Sequence, residues 1–515
     1  MRAANLGRLL TQTARRLPDA PGLVWRDKTW SWSEIDARVD RLAAVLRAAG
    51  VMPGDRVLVH SRNTHAMFES LWACFKTGAV WVPTNYRLTP AEVAILAADS
   101  RPVAMLRDTG FSAHADVVPT ARLVLAVGDA RPHETDYETA LAAATPPPPD
   151  HEQAVAPDDP CWFFFTSGTT GRPKAAVLTH AQMGFVVTNH LADLMPGLTE
   201  AGASLVVAPL SHGAGIHALA NVARGAKSIL MPGEKLDVAE AWRLVAAHRV
   251  TNMFTVPTIL TALTDGAPPD AEASSLRHVI YAGAPMYRAD QDRARRVLGH
   301  AMTQYFGLGE VTGNITVLRP DQHDVAPGSC GVPRTGMEVA ILDADGTRLP
   351  PDSTGEICVR GPAVFAGYFE NEAANQKAFA GGWFHTGDLG HLDARGFLFI
   401  TGRGSDMYIS GGSNVYPREV EEALLLHPAV AACAVVGLPH PKWGEAGVAC
   451  VVLRGAATEA DLLAHLYGLV ARYKQPLRVV AWPDLPMSGY GKVPKALVKA
   501  RLAEEGVGFT PPPPA

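Results

Sequence analysis

The sequence predicts an α/β protein: a large N-terminal domain of α/β layers that includes a β-rich subdomain, and a small α+β C-terminal domain. Three observations carry this reading. Short apolar, β-branched runs alternate with Ala-rich amphipathic segments up to about Gly336, the pattern of layers with parallel pairing. Strand-and-turn signals then take over, and after Gly404 helical segments again alternate with strands.

In chain order, DRVLVH (55–60), THAMFESLWACFKTG and AVWVP (79–83) read as strand, helix, strand. The alternation recurs through SLVVAPL, KSILM, TNMFTVP and HVIYAG. From Gly336, MEVAILDADGTRLP, GEICVRGP and GFLFITGR read as strands joined by tight turns, with DADG and the adjoining prolines marking them. The last part pairs the helical patterns PREVEEALLLH and EADLLAHLYGLVAR with the strands AVAACAVVGL and GVACVVL. PPPP at 146–149 reads as a surface linker and PPPP at 511–514 as a tail.

Composition narrows the function classes. With 515 residues, 47% of them hydrophobic and 19% charged, the chain can bury a large core in more than one domain. A net charge of -5 and no long Lys/Arg run give no footprint for nucleic acid. Cys74, Cys161, Cys330, Cys358, Cys433 and Cys450 are scattered without CxxC spacing, so neither a zinc site nor a disulfide framework is expected, and a reducing cytoplasm fits. The N-terminus has four arginines before its first acid, Asp19, but no apolar core or cleavage signal of a targeting peptide. Between Glu200 and Arg224 there are 23 residues without formal charge, yet Pro209, the histidines and three glycines argue against a membrane span. A buried strand breaking into a glycine-rich loop explains that stretch.

The string with the most chemistry is TSGTTGRPK (166–174), between the apolar runs CWFFF and AAVLTH. A strand entering glycine-rich turns can aim several backbone N–H groups at one anion, with Lys174 adding a cation. It is not the GxxxxGK[ST] pattern, whose spacing differs. On its own physics the string is either a phosphate cradle or a solvated hairpin.

TSGTTGRPK resembles the phosphate loop of the adenylate-forming superfamily, which includes acyl-CoA and aryl-CoA synthetases, luciferase and peptide adenylation domains. The resemblance continues in the family's order through PLSHG (209), YAGAP (281), YFGLGE (305), GEICVRGP (355), GYFEN (367), WFHTGDLG (383), FLFITGRGSDMYISGGSNVYPREVE (397) and GYGKVPK (489). It implies ATP, Mg2+ and coenzyme A as cofactors or co-substrates. Thr166, Ser167, Gly168, Thr169, Thr170, Gly171 and Lys174 would hold the β- and γ-phosphates, and Glu310 the magnesium ion, as a hard oxygen donor suits. Phe306, followed by Gly307, would stack on adenine opposite Gly283, Ala284 and Pro285; Asp388 would take the ribose hydroxyls and Arg403 ribose or phosphate. Lys492 would bridge carboxylate and α-phosphate during adenylation, and an acetyl group on it would erase that charge.

The same resemblance divides the chain into an AMP-binding domain, 1–402, and a mobile domain, 403–515, that rotates about a hinge at Ser405. Gly411, Gly412, Trp443 and Tyr473 would line the coenzyme A path. The acyl pocket would draw on His212, Gly213, Ala214, Ile216, Phe254, Val256, Ala282, Leu308, Gly309 and Asn314, with His212 as gate and Gly213, Ala214 and Gly215 leaving volume beside it. No Arg or Lys lies in those segments before Arg224, which points to a hydrophobic monocarboxylate: aryl, alicyclic or medium-chain.

Three departures stand out. Ser405 replaces the usual Lys or Asp at the hinge, Gln475 an arginine found in some aryl-CoA ligases, and Gly309 the threonine of GxTE, which is read as extra room for substrate. The expected activity is AMP-forming acid:CoA ligation. The alternatives are an enzyme that loads a separate carrier protein and a non-catalytic nucleotide-binding homologue. The oligomeric state is not legible in the sequence, a homodimer being admissible.

Overall fold

The computed structural model describes residues 5–148, 151–167, 173–284, 286–487 and 493–509. In a seven-stranded sheet the spatial order is Thr135–Asp136, Leu123–Ala126, Ala104–Arg107, Arg56–His60, Val80–Pro83, Pro160–Ser167, Pro173–Thr179. Neighbours are parallel except the last pair, an antiparallel hairpin. A nine-stranded sheet is parallel from Met302–Phe306 through His278–Tyr281, Asn252–Thr255, Ala203–Val206 and Lys227–Leu230 to Pro21–Trp25, with antiparallel pairs at both edges. Parallel strands need crossovers, and the helical segments of the sequence supply them.

Two of these helices form a buried layer, bridged by helix Gly7–Arg16, which touches both. His65–Thr77 starts where Thr64 accepts the Met67 N–H at 3.1 Å and ends at Gly78, whose φ is +72°. Every residue of it is buried, including two charges, and both are paired. Glu69 accepts from Arg38 at 2.6 Å, and Lys76 reaches Asp36 at 2.5 Å and Asp40. Burial of a charge is tolerable only with such partners. The second helix, Gly213–Arg224, corrects the sequence reading: the uncharged stretch is a strand, Ala203–Val206, followed by a helix rather than a loop.

Glu338–Leu342, Gly355–Arg360, Phe384–Leu392 and Leu398–Arg403 form the expected antiparallel sheet. The small C-terminal domain is built on the hairpin Val430–His440/Gly444–Leu453, joined by Tyr408–Ser410, Ser413–Val415 and Arg478–Trp482. Alternate residues of the hairpin enter two apolar clusters, Cys433 and Val435 on one face, Ala434 and Val436 on the other, as the two-residue strand period demands. EADLLAHLYGLVAR is helical only over Glu459–His465; Gly468, at φ +81°, ends any continuation. Glu421 of helix Pro417–Leu425 accepts from Val435 N at 2.8 Å, from Lys495, and from the Tyr287 hydroxyl at 3.2 Å across the domain boundary. All six cysteines are buried and unpaired, and no helix among the described residues is long and apolar enough to cross a membrane.

Candidate functional site

Strand ends place the site. Thr166 lies near the C-terminal end of Pro160–Ser167, Gly283 just beyond His278–Tyr281, and Phe306 at the end of Met302–Phe306. Open α/β sheets bind ligands at that edge. Glu310 sits in the 3-10 turn Gly309–Val311 and is 5% exposed. One carboxylate oxygen, Oε1, accepts from Thr166 Oγ1 at 2.9 Å and from the Tyr368 hydroxyl at 2.9 Å. Its other oxygen takes no hydrogen bond among the described residues, so a buried hard donor is held in place by two hydroxyls with one oxygen to offer, the donor chemistry that suits a divalent cation. Burial and the Glu310 carboxylate push the Tyr368 phenol up, so it remains a donor. Lys174 Nζ lies 4.4 Å from the centre of the same ring. Tyr368 therefore ties the glutamate to the lysine, a role unassigned in the sequence although GYFEN contains it.

Gly168, Thr169, Thr170, Gly171, Pro285 and Lys492 lie outside the described residues. Phe306 is half-buried, and the backbone beyond it turns tightly: a Cβ on Gly307 would sit 2.5 Å from Gly313 Cα. Ala284 is half-buried and Gly283 exposed, with Val256 the nearest neighbour of a Cβ there. Asp388 and Arg403 face each other across adjacent strands, with Nε 3.2 Å from Oδ1. The turn before Asp388 is held by its neighbours: Glu356 accepts the Gly387 N–H at 3.0 Å and lies 2.8 Å from His385 Nδ1. Ser405 is exposed between Leu398–Arg403 and Tyr408–Ser410, its hydroxyl 3.4 Å from Asp406.

The acyl candidates divide. His212, Gly213, Val256, Leu308 and Gly309 are half-buried, whereas Ala214, Ile216, Phe254, Ala282 and Asn314 are buried. Asn314 spends its amide on the turn, donating to the Val311 and Thr312 carbonyls at 3.2 and 2.9 Å. His212 Nδ1 is 2.8 Å from Ser211 Oγ, and its ring meets Phe164 edge-on at 5.4 Å.

Two expectations of open volume are corrected. A Cβ on Gly213 would lie 2.4 Å from Phe254 Cζ, and one on Gly215 would lie 2.1 Å from the Leu210 carbonyl oxygen and 2.9 Å from Trp162. These glycines let the helix pack closely and leave no space. Gly215→Ala is accordingly expected to destabilise the protein by about 1–3 kcal/mol, read as a lower thermal midpoint. At Gly309 a Cβ would meet Phe164 at 2.5 and 2.6 Å and Thr166 Cγ2 at 2.9 Å, so the room inferred there is occupied.

The coenzyme A candidates converge on one hairpin of the small domain. Gly411 and Gly412 link Tyr408–Ser410 to Ser413–Val415 with φ of +57° and +81°, a two-residue turn that side chains disfavour. Gly411 N–H donates to the Trp443 carbonyl at 2.9 Å, and the Trp443 ring covers that glycine. The short turn Arg472–Lys474, carrying Tyr473, packs on the second strand. Trp443 is 42% and Tyr473 48% exposed, so neither caps the core of the small domain.

This architecture, a sheet-edge carboxylate and lysine with a small appended domain, matches known proteins along the chain. Residues 10–369 match the AMP-binding enzyme family and residues 419–492 its C-terminal domain. The chain belongs to the AMP-binding enzyme family. Among its relatives is a feruloyl-CoA synthase of Amycolatopsis sp, 38% identical over 513 residues, 98% of this chain and 100% of that protein. An indoleacetate–CoA ligase of Aromatoleum aromaticum is 33% identical over 495 residues, covering 95% and 96%. Among solved structures, the o-succinylbenzoate CoA synthetase of Bacillus subtilis in complex with the acyl-adenylate intermediate aligns with TM-score 0.84 and 30% identity, covering 95% of this chain and 97% of that one.

Proposed function

We propose that this protein activates a hydrophobic monocarboxylic acid with ATP and then transfers the acyl group to coenzyme A, releasing AMP and pyrophosphate. It is an AMP-forming acid:CoA ligase. The observation that carries the reading is Glu310, a buried carboxylate fixed by Thr166 and Tyr368 beside Lys174 at the C-terminal edge of the sheets. Joining a carboxylate to a triphosphate crowds negative charge at one phosphorus, and fixed cations are what lower that barrier.

Glu310 would hold Mg2+, which neutralises phosphate charge when bound. Lys174 and the 166–171 loop would hold the outer phosphates, and Lys492 the carboxylate and α-phosphate. Phe306, facing Gly283 to Pro285, would take adenine. Asp388, oriented by Arg403 and the Thr386–Gly387 turn, would accept from the ribose hydroxyls. Residues 403–515 would move about Ser405 to bring Gly411, Gly412, Trp443 and Tyr473 to the thiol-transfer step. Coenzyme A as acceptor, rather than a carrier protein, is supported by Trp443 and Tyr473, exposed aromatic surface beside the glycine hairpin.

Acid-dependent exchange of labelled pyrophosphate into ATP, followed by AMP release with coenzyme A or a carrier protein as acceptor, tests the reading over benzoates, cinnamates and C4 to C12 fatty acids. No exchange with any acid would sink it, and AMP release only with the carrier would replace the acceptor. Trp443→Ala is expected to raise the KM for coenzyme A about tenfold, the worth of one stacked aromatic, with the effect confined to the thiol-dependent step.

A further inference from the structure

We infer that Phe164 determines which acids this enzyme accepts, by selecting those whose carbon skeleton is flat at the carbon next to the carboxylate. The inference rests on the proposed ligase reading and concerns the reacting end of the same site. Alternation along Pro160–Ser167 puts Trp162, Phe164 and Thr166 on one face of the strand. Thr166 donates to Glu310 and Trp162 is buried, while Phe164 between them is only half-buried. Its ring stands edge-on to His212 at 5.4 Å and 84°. On the other side it fills the space of a side chain at position 309, where an added Cβ would lie 2.5 Å from Cδ1 and 2.6 Å from Cε1.

Gly309 is outside the left-handed backbone region, so only space forbids a side chain there. The wall between the gate histidine and the metal-binding turn is therefore supplied by strand Pro160–Ser167, as a rigid aromatic plane. A planar unsaturated carbon can lie against such a plane and gain ring contact, whereas tetrahedral carbon projects hydrogens into it. Bulk at 309 and bulk at 164 are alternative occupants of one volume.

Cinnamate and 3-phenylpropanoate differ only in the double bond at that carbon, and serve as the matched pair. Acid-dependent pyrophosphate exchange in the full chain is expected to favour cinnamate at least about tenfold in kcat/KM, a difference of the size one well-placed contact supplies. Phe164→Leu should bring the ratio close to unity through the KM for cinnamate, while the KM for ATP stays within about twofold. Gly309→Thr should lose activity with both acids, and Gly309→Thr with Phe164→Leu should recover at least about tenfold over Gly309→Thr alone. Thermal midpoints of all variants separate loss of fold from loss of selectivity. An unchanged cinnamate preference in folded Phe164→Leu, or no recovery in the double variant, overturns the inference and leaves the ligase reading intact. A wild-type protein that exchanges pyrophosphate with no acid overturns both.

Discussion

Glu310→Gln is expected to lower kcat/KM for acid-dependent pyrophosphate exchange by about a hundred- to a thousandfold, the usual cost of removing one preorganised charge from a phosphoryl-transfer site. The fold should survive, because the amide oxygen of glutamine can still accept from Thr166 and Tyr368, the two hydroxyls that now converge on Oε1. What is lost is the charge on the carboxylate. The magnesium concentration for half-maximal rate should rise with the loss of activity, and a variant with normal magnesium dependence would contradict the assigned role. Lys492→Ala supplies the contrast: it should abolish adenylation to a comparable extent yet spare thioester formation from preformed acyl-adenylate. Glu310 and Lys492 would thus be separable by the step at which each variant stalls.

The largest expected effect on stability lies three strands away from Pro160–Ser167 in the seven-stranded sheet. Arg107 ends the strand Ala104–Arg107, and its side chain and that of Glu134 are both fully buried. Arg107 Nε donates to Glu134 at 3.0 Å and Nη1 to Asp129 at 2.6 Å, while Glu134 also accepts the Arg131 N–H at 2.8 Å. Glu134→Ala should cost about 3–5 kcal/mol, since a buried guanidinium loses its main partner. Replacing Arg107 and Glu134 together by Met and Leu should restore most of the loss. The Arg107 hydrogen bonds hold the Glu134 carboxyl at about 2, against an ordinary 4.5, with burial opposing them. A depressed carboxylate stabilises the fold fully above about pH 4.5, and that share is lost as pH falls toward 2. Denaturant unfolding of the wild type should therefore lose more free energy than Glu134→Ala between pH 4.5 and 2. Equal slopes would place the acid sensitivity elsewhere.

The segments DRVLVH, AVWVP, SLVVAPL, KSILM, TNMFTVP and HVIYAG each hold a strand that starts within a residue of the expected position, because a strand buried on both faces must be an unbroken apolar run; SLVVAPL leaves its strand four residues early, at Val206. The glycine-rich segment after His212 was legible only as composition. Whether glycine opens a loop or lets a helix approach its neighbours depends on Phe254, Leu210 and Trp162, which come from other parts of the chain. Tyr368 lies in GYFEN and Phe164 in CWFFF, yet their roles depend on partners 58 residues away, at Glu310, and 48 residues away, at His212. The alternation through CWFFFT could have put Phe164 on the Thr166 face, but not have told which face is the site.

The sequence by itself determined the class of protein, its layers and the residues that carry charge, since hydrophobic period, turn chemistry and ordered motifs are local properties of the chain. Only the tertiary structure decided which spaces are open. The vacancy left by a missing side chain is filled or kept by whatever distant segment packs there, and at Gly309 that segment is the strand bearing Phe164.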